Sequence, residues 1–310
     1  MSQEYNPSQV EDDEIDLAEL WRAIWAGKFI IIAITFVFAV ASVFYALSKP
    51  DVYKASVLLS PVSSQSGSGG LGALAGQFGG LASLAGINLG GGGGGDQTSI
   101  ALATLESRSF IENFIKKHDL IVPLMASKKW DKATNSLILN NELYDEKQKK
   151  WLDLSKTANP TPWDTYKKFS SLLSVSQDKK TSLITINLEF YSPLLAKQWL
   201  ALLIKEINTF TREQEKEETK ASIEYLKNEL KSIQTSNMKT VFYQLIEEQT
   251  KNMMLAQVKK EYIFKTIDPV QVPDQKDSPK RSLIILLGII FGGMLSISFI
   301  LIRYFITLKQ

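Results

Sequence analysis

Two uninterrupted apolar runs dominate the pattern of the chain: Phe29–Leu47 and Leu283–Ile302, 19 and 20 residues without a charge. Only Thr35 and Ser42 break the first, and three glycines and two serines the second. About 20 such residues in helix cross the hydrocarbon core of a bilayer, so both runs are predicted to span. The first begins behind a tail with seven acidic residues, against Arg22 and Lys28. A secretory signal has a basic start and a shorter apolar core, so this run reads as an anchor. Asp16-Leu-Ala-Glu19 has capping-box spacing, which predicts a short helix leading into the first span. Trp21 and Trp25, one turn apart, would share a face at headgroup depth, with Tyr304 at the far end.

Between the runs the pattern changes twice. Period-two alternation predicts a strand through Tyr53, Ala55, Val57 and Leu59. Leu172–Gln177 and Ser182–Phe190 flank the polar turn Asp178-Lys179-Lys180 and predict a hairpin, and Tyr262–Asp268 is a further strand. Strands from both ends of this region would pair in one small mixed sheet. Helical spacing marks Thr98–His118, with His118 at its C-terminus in a capping or dipole role. From Leu194 to Asp268 there are 75 residues without Gly or Pro. A stripe of Leu195, Trp199, Leu202, Leu203, Ile207 and Phe210 opens this stretch. Beyond it Arg212–Lys231 alternates acids and bases, with Glu213–Lys216, Glu217–Lys220 and Glu224–Lys227 spaced for i,i+3 pairing. A reversal near Thr235-Ser236-Asn237 would return the chain through Val241–Lys259, an extended helical hairpin over 194–260 that packs against a partner.

Glycine complicates the plan, because 14 of the 18 lie between Gly67 and Gly95 and none between Asp96 and Leu287. Residues 55–95 carry no charge. Interior glycines cost a helix about 1 kcal/mol each, so 67–95 is expected to be a mobile apolar loop, flexible over Gly90–Gly95, rather than a third span. It is no phosphate cradle, since Asp96-Gln97-Thr98 follows the glycines where a P-loop has Gly-Lys-Ser/Thr.

The mean hydropathy near zero therefore describes no real region of the chain. The 35 Lys and Arg balance 33 Asp and Glu, without a basic tract, so no nucleic-acid partner is expected. No cysteine and a single histidine exclude disulfides, thiol nucleophiles and multi-histidine metal centres. No cofactor is expected. Flanking charge gives no vote on orientation, although two spans put both termini on one side. Gly288 and Gly292, with Gly293 beside them, have the spacing of small residues that let membrane helices approach closely.

The lead into the second run reads Asp268-Pro-Val-Gln-Val-Pro273, then Asp277-Ser278-Pro279-Lys280, and Gly292-Gly293-Met294 follow within it. With Glu14-Ile-Asp-Leu-Ala-Glu-Leu-Trp21 and Gly27-Lys28 before the first run, this plan resembles the Wzz polysaccharide co-polymerases, the chain-length determinants of bacterial lipopolysaccharide. On that resemblance Pro269, Pro273, Ser278, Pro279 and Lys280 carry the family motif, and Gly288, Gly292 and Gly293 the transmembrane packing. The resemblance implies an α+β membrane protein of the bacterial inner membrane, with cytoplasmic tails (1–28 and 304–310), spans over 29–48 and 282–303, and a periplasmic domain over 49–281. It implies a non-enzymatic regulator of O-antigen chain length. This regulator would form a closed, octamer-like ring of its own copies, working with a Wzy-type polymerase and the nascent lipid-linked polysaccharide. Some relatives carry a tyrosine-kinase domain after the second span; eight residues follow Ile302 here, and no kinase activity is expected. Two other readings stay open: a periplasmic adaptor for export of capsule or exopolysaccharide, and a glycan hydrolase using a carboxylate pair.

Overall fold

A computed structural model describes residues 17–62, 93–152 and 160–308. The chain forms two units, Met1–Pro50 with Ser278–Gln310, and Asp51–Asp277.

The first unit is helical: α1 (Leu17–Ala26), α2 (Lys28–Ser48) and α9 (Arg281–Leu308). Gly27 separates α1 from α2, and its carbonyl accepts from the amides of Ile30 and Ile31. The helices α2 and α9 run antiparallel along each other, with Gly288 against Ser42, Gly292 against Phe38 and Ile300 against Gly27. Elsewhere α2 turns its largest side chains outward: Phe29, Ile32, Phe36, Val37 and Phe44 are all more than 60% exposed. A soluble core helix would bury them. With 21 residues in α2, about 32 Å at 1.5 Å per residue, the pair is built to cross a bilayer and meet lipid on its outer faces. The expected helix start at Asp16 and the acidic tail before it lie outside the described residues.

The second unit is built on a four-stranded sheet in the order β6-β7-β1-β8, where β1 is Tyr53–Pro61, β6 Leu173–Gln177, β7 Ile184–Phe190 and β8 Phe264–Asp268. All neighbouring pairs are antiparallel, where a mixed sheet was expected. Alternation explains the register: Ala55 faces Leu188, Val57 faces Ile186 and Leu59 faces Ile184, all buried on one side. A one-residue slip would turn every one of them to water. That face packs on Trp199, Leu200, Leu203 and Ile207 of α7 (Pro193–Ser232), together with Phe110, Ile111, Phe114 and Ile115.

Four expectations need correction. The helix foreseen over Thr98–His118 is two, α3 (Gly93–Glu106) and α4 (Arg108–Lys117). The break is at Ser107, whose extended backbone and hydroxyl cap the Phe110 amide at 3.4 Å. Gly93–Gly95 open α3 instead of lying in a flexible loop; the rest of the glycine segment lies outside the described residues. The stretch after α4 holds α5 (Ile121–Met125), hairpin β2 (Ser127–Asp131) with β3 (Ser136–Leu139), the short pair β4 (Tyr144–Asp145) and β5 (Lys150–Trp151), and α6 (Pro162–Leu172). None of these was foreseen, and Leu172, expected to open a strand, instead ends α6. Of the three charge pairs foreseen on α7, Glu213–Lys216 forms at 2.7 Å, and the other two are not among its ion pairs.

The long hairpin is present. Its first arm is the 40-residue α7 and its second is the 23-residue α8 (Ser236–Val258), packed against α7. The chain reverses over Ile233–Thr235, two residues earlier than the polar triplet suggested. Beyond Asn208, where α7 leaves the core, Thr219, Ile223 and Leu226 of α7 and Ala256 of α8 are the buried positions among the described residues of the hairpin, a thin seam between charged faces.

Candidate functional site

The residues expected to carry function fall in both units. Within the second, the proline-rich lead follows β8. Val270, next to Pro269, packs against the core, and no helix forms through Pro273, as the fixed φ of proline dictates. The Asp277 amide donates to the Val52 carbonyl at 2.9 Å, and the Lys276 ammonium lies 3.2 Å from Asp51 Oδ1. The two ends of this unit are thereby fastened together. In the first unit, Ser278, Pro279 and Lys280 precede α9, and the Lys280 carbonyl accepts from the Leu283 and Ile284 amides.

The three glycines of α9 differ. A Cβ on Gly288 would stand 2.5 Å from Ser42 Cβ, and one on Gly292 2.6 Å from Phe38 Cβ, closer than carbon atoms tolerate. Gly293 would meet nothing within 4 Å. The Ser296 hydroxyl, fully buried, donates to the Gly293 carbonyl at 2.7 Å, satisfying itself within the helix.

A residue that the sequence did not single out governs the base of the hairpin. Asn208, in α7 and only 4% exposed, accepts at Oδ1 from the amides of Tyr262, Ile263 and Phe264 at 2.9, 2.9 and 3.0 Å. Its Nδ2 donates to the Ile204 and Phe264 carbonyls, both at 3.1 Å. One amide side chain thus ties the start of β8 to the helix 54 residues earlier. Asn208 is one of several polar residues in this stretch, and only the structure separates it from the others.

The acidic run on α7 is electrostatically uneven. Glu213, exposed, is held below the usual carboxylate range by its hydrogen bond to Lys216. Glu215 is pushed above the usual glutamate value by burial, reinforced by the Glu218 charge. Tyr262 is pushed up to about 12 by burial, with Glu215 adding to it. Such pairings arise wherever a charged helix turns one acid toward a packed base, and they fit a structural role better than a catalytic pair. His118 caps α4, and its Nε2 stands 3.8 Å from Glu206 Oε2, beside the 2.6 Å pair of Lys117 with Glu206. Among the described residues no group of three His, Asp or Glu could hold a metal ion.

Residues 13–118 match the family model "Wzz: Chain length determinant protein". The chain carries a Wzz-type region. It includes α1, α2, β1, α3 and α4, so the Wzz-type region ends where α4 docks on α7. Two of the chain's helices, Lys28–Ser48 and Arg281–Tyr304, are long and apolar enough to cross a membrane. A second model, "G-rich domain on putative tyrosine kinase", matches residues 233–305, covering α8, β8, the proline-rich lead and most of α9. No curated protein matches the sequence significantly. Among solved structures, a full-length bacterial polysaccharide co-polymerase is 12% identical over 94% of this chain and 98% of its own, with a TM-score of 0.43. A fragment of WzzB, a polysaccharide co-polymerase from Salmonella Typhimurium, is 12% identical over 74% of this chain and 100% of its own, with a TM-score of 0.32.

Proposed function

We propose that the protein is a non-enzymatic inner-membrane scaffold that sets the length of a surface polysaccharide such as O-antigen. In this reading both termini are cytoplasmic, the Asp51–Asp277 unit is periplasmic, and copies assemble in a closed ring that acts with a Wzy-type polymerase. The observation that carries it is the Wzz-type region joined to a long hairpin whose own seam is thin. Along that hairpin Tyr225, Tyr243, Met254 and Val258 remain at least 55% exposed, more apolar surface than a solitary charged hairpin needs, and neighbouring copies would cover it. The close approach of α9 to α2 through Gly288 and Gly292 supports their packing role, and the motif Pro269, Pro273, Ser278, Pro279 and Lys280 would brace the join to the second span. Imaging of the detergent-solubilised particle tests the assembly: closed rings are expected, and a monomer would refute it.

The G-rich domain match over residues 233–305 favours a second reading, in which the polysaccharide is a capsule or exopolysaccharide and the hairpin docks on its export apparatus. Loss of export altogether in a deletion strain, rather than a shift in lengths, would select that reading.

A further inference from the structure

The role proposed above makes no use of α1, and its surface has a chemistry of its own. Trp21, Arg22, Trp25 and Ala26 line an open groove along the helix. The two indoles stack with centroids 6.4 Å apart and planes at 26°, yet they remain 65% and 62% exposed. The Lys28 ammonium stands 5.2 Å over the Trp25 ring and 5.4 Å over the Phe29 ring. Among the described side chains no carboxylate forms an ion pair with Arg22 or Lys28. The nearest acid on the same helix is Glu19, one turn before Arg22.

Two large amphipathic rings held flat and open gain little in water. Indoles are enriched where one side of the ring meets acyl chains and the other meets headgroups. The groove abuts the first residue of a 21-residue apolar helix, so the layer it meets is the phosphate layer of the bilayer. One cation in the groove, Arg22, and a second, Lys28, over the Trp25 ring suit a ligand that is anionic at one end and greasy at the other. We propose that this groove binds the headgroup of an anionic glycerophospholipid, with Arg22 and Lys28 meeting the phosphate and Trp21 and Trp25 the glycerol–acyl boundary.

Each basic residue close to an anionic surface strengthens binding about fivefold, so the two together should give about a thirtyfold preference over a zwitterionic lipid. The full-length protein in neutral detergent is titrated with phosphatidylglycerol or phosphatidylcholine carrying brominated acyl chains, and quenching of tryptophan fluorescence is followed. The wild type should respond to phosphatidylglycerol at about thirtyfold lower concentration. Arg22→Gln with Lys28→Gln should remove that preference, and Trp21→Phe with Trp25→Phe should remove the selective part of the quenching, with circular dichroism showing both variants folded. Equal response to the two lipids, or a preference that survives the charge-removing pair, would overturn the proposal. So would competition by millimolar inorganic phosphate, which would make this a bare anion site.

Discussion

Replacing Asn208 by leucine probes how the hairpin is joined to the sheet. Leucine has as many side-chain heavy atoms as asparagine in a similar branched shape, so the site stays filled while every polar contact is lost. Three amides (Tyr262, Ile263 and Phe264) and the Phe264 carbonyl then lose the partner that Asn208 supplied. The Ile204 carbonyl keeps its helical bond and is not counted. A buried group left unpaired costs about 1–3 kcal/mol, and Tyr262 is only part-buried, so water relieves some of the loss. The three fully buried groups alone should give roughly 3–9 kcal/mol, a large share of the roughly 5–15 kcal/mol that holds a typical domain. Urea unfolding of the detergent-solubilised protein, followed by the fluorescence of buried Trp199, measures it. The exposed Asn228, hydrogen-bonded to Lys231 at 3.1 Å, serves as control, and its replacement by alanine should change stability by less than about 0.5 kcal/mol. A loss below about 1 kcal/mol for Asn208→Leu would refute the clamp as the fastening of β8 to α7.

Further outcomes follow from the same geometry. Gly288→Leu and Gly292→Leu should each disrupt the α2–α9 pair and lower the thermal stability of the solubilised protein, whereas Gly293→Leu, which meets nothing within 4 Å, should not; equal behaviour of all three would contradict close packing. Because the Glu215 carboxyl is raised in the folded state, its contribution is complete below the unfolded value of 4.5 and fades as pH rises through the folded one. Glu215→Gln should therefore stabilise the protein at neutral pH and flatten that part of a pH–stability curve. Asp164 is the opposite case: Thr161 hydrogen bonds lower it, so its contribution holds above 3.8 and is lost as pH falls through the folded value. Asp164→Asn should cost stability at pH 7 and little at pH 2, as read by thermal melts.

The legible parts of this fold were those where a local pattern decides the outcome. Ala55, Val57 and Leu59 alternate because β1 is buried on one face, and α7 runs 40 residues because nothing in its interior breaks a helix. The strands β2 to β5 are two to five residues long and rich in Lys, Asp and Trp, too short for a period to register. Ser107 looked like one more helical residue, since a hydroxyl that caps is told from one that is carried only by the backbone around it. The Asn208 clamp depends on amides 54 to 56 residues away, a relation no local window contains. Of the glycines, spacing singled out three, and only the facing helix separates Gly288 and Gly292 from Gly293.

The length distribution of the surface polysaccharide, resolved on a gel for a deletion strain and for the same strain carrying the gene again, bears most directly on the central claim. The account predicts that deletion abolishes the preferred length while polymer is still made, and that the restored gene brings the mode back. An unchanged distribution in the deletion strain would contradict it.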